Sequence, residues 1–450
     1  MINTYFFKEQ KHYYFDEYND LFKNKDILNE FKKLDVVKYS DEDFKFEYVG
    51  IIIFEDNVLY CYPKYFPKKD AIDNDFKQVI EVIKKFNKQR NNSVYQNDDF
   101  EDSQYNMLSL MLFFIEDFYE NGLYTKTQKV LEINGNGDID WNRTINQGFP
   151  IIQKGKPYYT ELQTGYHQND LVNYFRLLHK SIISYCSKTL QSYDLLELFD
   201  LNSVELSSKS WDEDFGDKEF IKQRLQKELN VEFNTHKREL LTAMYSFICN
   251  DNSTRENILT LFGSNEYYYI WENMCAEIFD DNLDDALGVL FNDKLDERYF
   301  SASTELKNII NRPRIYLDDV DDEFPRLIPD SVILTDDMNQ LIILDGKYRN
   351  LYKDKSMEDT LSLYDVNKQF LYQLAFSELI DVQQIDCVKN ALLFPTYGKE
   401  VINKGFIESD MFQRIGMKKI QIILVPAFEV SKCYLECSKK PIKWLKLEKI

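Results

Sequence analysis

The spacing of apolar residues along the chain predicts a mixed α/β protein. Residues 46–54 form a β-branched, aromatic run, and 58–62 follow after Glu55-Asp56-Asn57. That is the pattern of a hairpin, closed by Pro63-Lys64. Val79, Ile80, Val82, Ile83 and Phe86 recur at helical spacing and predict a helix over 71–88, with Asp70 as its N-cap. Residues 91–103 are polar and acidic, a surface loop, and 105–123 form a helical run too rich in apolar residues for an exposed position. A long helix is predicted over 170–193, with Leu171, Tyr174, Phe175, Leu178, Ile182 and Ile183 on its apolar face and His179 beside them. One or two more follow over 218–250. Residues 267–279 are an amphipathic helix whose wide apolar face carries Ile270, Trp271, Met274, Cys275, Ile278 and Phe279. The runs 332–334 and 341–344 flank the polar segment 335–340 and predict a second hairpin. A helix over 361–379 and strands over 390–395 and 419–426 complete the pattern.

This order predicts an α+β, or mixed α/β, fold in three parts. Residues 1–130 form an N-terminal α/β domain, 131–262 a mainly helical middle region, and 263–450 a mixed sheet flanked by helices. A length of 450 residues allows two or three such domains, each with its own core.

Composition narrows the function. No run of about 18 apolar residues is present to cross a membrane, and the N-terminus lacks the basic start and apolar stretch of a signal peptide, so the cytoplasm is the expected location. Seven cysteines are scattered, the closest being Cys433 and Cys437, and the four histidines show no metal-binding spacing. A disulfide framework and a zinc centre are not expected. The net charge of −21 argues against tight autonomous DNA binding, which draws on neutralised phosphates. It leaves room for a nuclease whose metal ions offset local repulsion, or for one recruited by a partner.

The strongest candidate for chemistry is the second hairpin. Asp330 precedes its first strand, Asp345 ends its second, and Lys347 lies two residues further on the same face, given a strand's period of two. Two carboxylates and a lysine at a sheet edge can hold Mg²⁺ and steady a phosphate or a water under attack. Glu272, beside Trp271, is a candidate third acid, with Glu277 as its competitor. Lys368 and Tyr372 share a helix face. Asn134-Gly-Asn-Gly137 reads as a turn whose glycines are free to take positive φ, and not as a phosphate loop. Trp141 and Arg143 suit a contact surface or, for Trp141, a core position. The acidic run 318–323 reads as a solvated loop.

Taken together, Trp271-Glu272, Pro329-Asp330, Asp345-Gly-Lys347-Tyr348 and Lys368-Gln369-x-x-Tyr372 resemble the PD-(D/E)XK nuclease core. More narrowly, their order is similar to that of the McrC and LlaJI restriction endonuclease subunits. Tyr48-Val-Gly-Ile-Ile, Tyr62-Pro-Lys64 and Asn134-Gly-Asn-Gly-x-Ile-x-Trp-x-x-Thr-Ile145 also resemble LlaJI-family signatures. The resemblance implies Mg²⁺, with Mn²⁺ as a substitute, held by Asp330, Asp345, the Gly346 carbonyl and Glu272. Lys347 would assist the attacking water or the scissile phosphate, and Gln369 would be an auxiliary catalytic residue. It further implies double-stranded DNA as substrate, an AAA+ GTPase (McrB-like) partner, an associated DNA cytosine methyltransferase, and an N-terminal half that docks the motor or helps recognise DNA. The competing readings are a catalytically inactive nuclease-like module that binds DNA and regulates an NTPase, and a structural protein with incidental motifs.

Overall fold

The computed structural model describes residues 2–22, 25–67, 74–94, 107–250, 260–317, 320–335, 338–351 and 361–448. The chain forms two compact units, residues 1–100 together with 262–450, and residues 101–261. The three consecutive parts expected from sequence are therefore grouped differently. The boundary near 262 coincides with the second junction. The one near 130 does not, because the N-terminal hundred residues pack with the C-terminal segment.

In the first unit, β1 (Asn3–Lys8), β2 (Val49–Phe54) and β3 (Asn57–Tyr62) form a sheet with order β1-β3-β2, and β4 (Thr260–Ser264) adds to β2. The expected hairpin is β2–β3, paired antiparallel from Gly50↔Cys61 to Phe54↔Asn57. Both strands are buried along their whole length, which explains their unbroken apolar character. Gly50 (φ +143°) lies so close to β4 that a Cβ there would come 2.1 Å from the Phe262 carbonyl oxygen. The glycine of Tyr48-Val-Gly-Ile-Ile is thus required by the close approach of the neighbouring strand. α1 spans Asn74–Val94. The predicted cap Asp70 and most of the predicted loop 91–103 lie outside the described residues.

The second sheet follows α2 (Tyr267–Phe279), whose bounds are those predicted. Its strands are β5 (Ser331–Leu334), β6 (Gln340–Gly346), β7 (Cys387–Thr396), β8 (Ile402–Ile407) and β9 (Ile420–Pro426), in the order β5-β6-β7-β9-β8. β5–β6 is the expected antiparallel hairpin, β6–β7 and β7–β9 are parallel, and β8 closes the edge antiparallel to β9. β8 was not predicted. Its positions alternate exposed and half-buried, and Gly405 (φ +127°) sits at a register shift, so no clear apolar run marks it. The helix predicted over 361–379 is two: α3 (Leu363–Ala375) ends at Phe376, and Ser377–Val382 starts again. α4 is Ala427–Leu435. Val332, Leu334, Leu341 and Ile343 pack with Tyr372, Phe376 and Leu379, while Leu392, Phe394, Ile420 and Ile422 pack with Phe370 and Phe412. Of the acidic run, residues 320–323 form a strand paired with Arg314–Leu317, in place of the expected loop, and Glu323 is 2.9 Å from Arg314.

The second unit contains helices Met107–Asn121, Tyr174–Ser192, Lys218–Leu229 and Thr235–Asn250. It is less purely helical than expected, because Thr127–Ile133, Gln163–Asn169 and Asp138–Ile139 form a three-stranded sheet. In its turn the left-handed residue is Asn134 (φ 53°), not a glycine. Gly137 serves close approach instead: a Cβ there would come 2.5 Å from the Gly165 carbonyl oxygen. Trp141 opens a short helix capped by Asp140 and is exposed. Among the described residues no helix is long and apolar enough to cross a membrane.

Candidate active site

The β5–β6 hairpin carries the acidic residues to one end of the sheet. Asp330 immediately precedes β5, and its Oδ2 accepts a 2.9 Å hydrogen bond from the Gly346 N–H at the end of β6. This bond draws the two hairpin ends together beyond the last strand pair, Ser331↔Leu344. Asp345 pairs in register with Leu392 of β7 and is 1% exposed. Lys347 continues the pairing, donating its backbone N–H to the Leu393 carbonyl at 2.8 Å. Strand alternation places Asp345 and Lys347 on one face, and the Lys347 Nζ lies 2.6 Å from Asp345 Oδ2.

Gly346 faces the other way, against α2. A Cβ there would meet Glu272 Cα at 3.2 Å and Trp271 Cδ1 at 3.3 Å, so glycine permits the helix to approach. Trp271 anchors that helix by donating from Nε1 to the Leu393 carbonyl at 3.1 Å. The same carbonyl therefore holds both Trp271 and the Lys347 backbone. Glu277, the competitor of Glu272, is engaged 3.2 Å from Lys85 of α1. Glu272 is the acid beside the hairpin.

The electrostatics of this cluster are unfavourable for three ionised carboxylates. Burial, then the charge of Asp330, pushes Glu272 up to about 8. Burial, then Asp345, pushes Asp330 up to about 6. Burial also raises Asp345, against the opposing pull of Lys347. Burial works against the Lys347 ammonium, but Asp345, Asp330 and Asp365 together hold it above its ordinary value. Such mutual repulsion is relieved by a cation or a proton. The donors are all oxygens, the type that hard cations accept. Among the described residues no three His, Cys, Asp or Glu side chains are already arranged as a metal-holding group.

A cavity of about 670 Å³ opens at the cluster, with Glu272, Gly346 and Lys347 in its lining. A second, of about 600 Å³, is lined by Glu272 and Asp330 with Tyr269 and Asn273. Glu272 stands between them. The structure thus brings Asp330, Asp345, Gly346, Lys347 and Glu272 together. Gln369 is buried on α3, and its hydrogen bonds with Asn390 of β7 are two: its side-chain Nε2 donates to Asn390 Oδ1 at 2.5 Å, and its backbone carbonyl accepts from Asn390 Nδ2 at 3.0 Å. Its hydrogen-bond partner is the neighbouring strand.

Two contributions were missed in the sequence. Asp365 lies 3.7 Å from Lys347 and 3.4 Å from Arg349. It is the N3 residue of a capping box with Ser362, a signal legible as Ser-x-x-Asp ahead of an apolar run. Burial raises its carboxyl, but the Ser362 hydrogen bond and the charges of Lys347 and Arg349 outweigh that and lower it. The other contribution is Glu9. Its buried carboxylate accepts from the Tyr348 hydroxyl at 2.5 Å and the Lys64 N–H at 3.1 Å, tying β1 and β3 to the residue after Lys347. No local pattern announces a partner 339 residues away.

Comparison with known proteins gives the family. The chain is 26% identical over 415 residues to the type II restriction enzyme BsuMI component YdjA of Bacillus subtilis (strain 168), covering 88% of this chain and 82% of that protein. A chain from the refined half-complex of Thermococcus gammatolerans McrB AAA+ hexamers with bound McrC aligns over 97% of this chain and 99% of its own length, at 13% identity and a TM-score of 0.40. One from the McrBC complex of the same organism covers 57% of this chain and 83% of its own, at 11% identity and a TM-score of 0.24. Residues 48–428 match the family model of the LlaJI restriction endonuclease, and the chain belongs to that family.

Proposed function

We propose that the chain is the DNA-cleaving subunit of a modification-linked restriction system, hydrolysing phosphodiester bonds of duplex DNA with Mg²⁺, or Mn²⁺ in its place. One observation carries this reading: Asp330, Asp345 and Lys347 meet at the end of one hairpin, beside a cavity. Pro329-Asp330 before β5 and Asp345-Gly-Lys347 at the end of β6, next to parallel β7 and β9, support a PD-(D/E)XK arrangement.

Asp330, Asp345 and the Gly346 carbonyl would hold the cation. Mg²⁺ keeps much of its water and takes one or two carboxylates, which this donor set can provide. When bound it supplies Lewis acidity and lowers the pKa of a coordinated water. Lys347, kept charged by Asp345 and Asp365, orients the attacked phosphate and offsets its growing negative charge. Glu272 is an additional acidic contact on the helix side. Gln369 acts as a positioning residue, by fixing α3 on β7.

The second unit supplies the surface for an AAA+ GTPase partner. Trp141, Ile145, Ile151 and Ile152 are exposed there, and Phe149 is 95% exposed, an apolar set that solvent alone does not favour. A cytosine methyltransferase acting in the cytoplasm would protect the host's own sites. The test is direct. Duplex DNA is incubated with the full chain and Mg²⁺, and the Asp345→Ala and Lys347→Ala proteins are expected to melt cooperatively yet leave DNA intact. Cleavage unchanged in both would sink the assignment.

A further inference from the structure

A protein with 76 acidic and 55 basic side chains needs a local surface of the opposite sign to receive DNA. The lining of the cavity at the cluster is richer in basic than in acidic side chains. It contains five basic residues, Lys8, Lys11, Lys64, Lys347 and Arg349, against three acidic ones, Glu9, Glu272 and Asp365. Three of the five come from the N-terminal hundred residues, far from the nuclease-like hairpin in sequence. Lys8 and Lys11 reach the cavity at a tight turn after β1, in which Lys11 N–H donates to the Lys8 carbonyl at 3.2 Å and Gln10 takes φ 59°, and Lys64 reaches it just after β3.

That turn is held firmly in place. Glu9, between the two lysines, is buried and bonded to the Tyr348 hydroxyl. Lys64 Nζ lies 3.9 Å from Glu9 and 4.2 Å from the centre of the Tyr348 ring. Asn350 Nδ2 donates to the Lys64 carbonyl at 2.5 Å. A buried acid so tied resists displacement, since breaking the set would leave a charge uncompensated. The turn is thereby fixed to the backbone that carries Lys347, while Lys11 itself is exposed.

We infer that the Lys8–Lys11 turn forms a phosphate-binding wall of the cleavage site, with Lys11 contacting the backbone of the DNA next to the scissile phosphate. The inference rests on the nuclease reading and adds a part to it. The N-terminal segment is then a wall of the substrate cleft as well as a scaffold. Glu9 is its positioning residue, and Tyr348 links the wall to the site.

The test measures duplex DNA binding by fluorescence anisotropy across a KCl series, in the full chain carrying Asp345→Asn so that nothing is cut. Lys11→Glu should weaken binding about tenfold at low salt and reduce the slope of log K against log [salt] by about 0.9, the loss of one phosphate contact. Lys11→Arg should restore both. In the cleaving protein, Lys11→Glu should raise KM with kcat retained. Unchanged affinity and slope would overturn the wall, as would failure of the parent chain to bind duplex DNA at 50 mM salt, roughly the low end of such series. The two readings fail separately. Cleavage with a silent Lys11 removes only the wall, whereas Lys11-dependent binding without any cleavage removes only the nuclease.

Discussion

At the end of β6, three carboxylates press on one another beside a cavity, whereas in the second unit a buried acid pairs with one histidine and a second histidine is buried neutral. There Asp117 Oδ1 lies 2.6 Å from His236 Nε2 and accepts from Asn121 Nδ2 at 2.9 Å, and His179 Nδ1 accepts from the Tyr124 N–H at 3.2 Å. Burial holds His179 down to about 4, in its neutral form, with Asp117 opposing the shift. Neither cavity described above is lined by these residues. The contrast separates two uses of buried polar groups. One set makes its polar contacts within the fold, through Asp117 Oδ1 and His179 Nδ1, and serves to specify packing. The other is left in surplus negative charge, which only a ligand or protons can offset.

The same substitution should therefore act oppositely in the two places. Asp330→Asn keeps an oxygen for the Gly346 N–H and removes one repelling charge. Cleavage should fall by about 10³-fold or more, with the melting temperature held or raised. Asp117→Asn should lower stability by about 1–3 kcal/mol, since a hydrogen-bonded charge beside His236 is lost, and folded protein should still cut. Thermal melts and cleavage rates on both proteins check this. A destabilised Asp330→Asn protein would erase the distinction.

Acid should separate the clusters by sign. His179 has a folded value of about 4 against an ordinary 6.5, so the unfolded chain binds more protons between those limits. Its contribution, about 3 kcal/mol, is fully present above pH 6.5 and lost as pH falls toward 4. Asp330 shifts the other way, up to about 6 from 3.8, so it contributes stability that grows as pH falls through that window. Urea unfolding across pH should show the loss in the wild type and a flatter profile in His179→Gln. A profile identical in both would remove His179 from the account.

How much of this was open to sequence reading follows from range. The β5–β6 hairpin and α2 were legible because periods of two and 3.6 are local, and Asp345 and Lys347 fall on one face by that rule alone. Of the two acids weighed on α2, Glu272 lies against Gly346 of the hairpin and Glu277 pairs with Lys85. The union of residues 1–100 with 262–450 was not legible. It depends on the close approach of Gly50 to Phe262 and on Glu9 meeting Tyr348, contacts with no local periodicity. The Asn134–Gly137 turn was recognised as a turn, but its glycines answer to neighbouring strands and not to φ.

A cation should bind only the frustrated cluster. Mg²⁺ at about 100 times its Kd should stabilise the protein by about 2–3 kcal/mol, read as a rise in melting temperature. Asp330→Asn and Asp345→Asn should each abolish the rise, while Asp117→Asn should retain it. A shift that survives both hairpin substitutions would place the ion elsewhere.

The smallest effect is the most local. Trp271 and Lys347 share the Leu393 carbonyl, at 3.1 and 2.8 Å. Trp271→Phe removes one of the two donors and leaves the other, so the carbonyl remains bonded and the stability loss should be about 1 kcal/mol. The ring is fully buried and packs over Gly346, so the helix that carries Glu272 should also loosen against the hairpin. Cleavage should consequently drop several-fold further than the folded fraction does, with DNA affinity little changed. A rate that merely tracks the folded fraction would mean that Trp271 fills space and does not hold Glu272 in place.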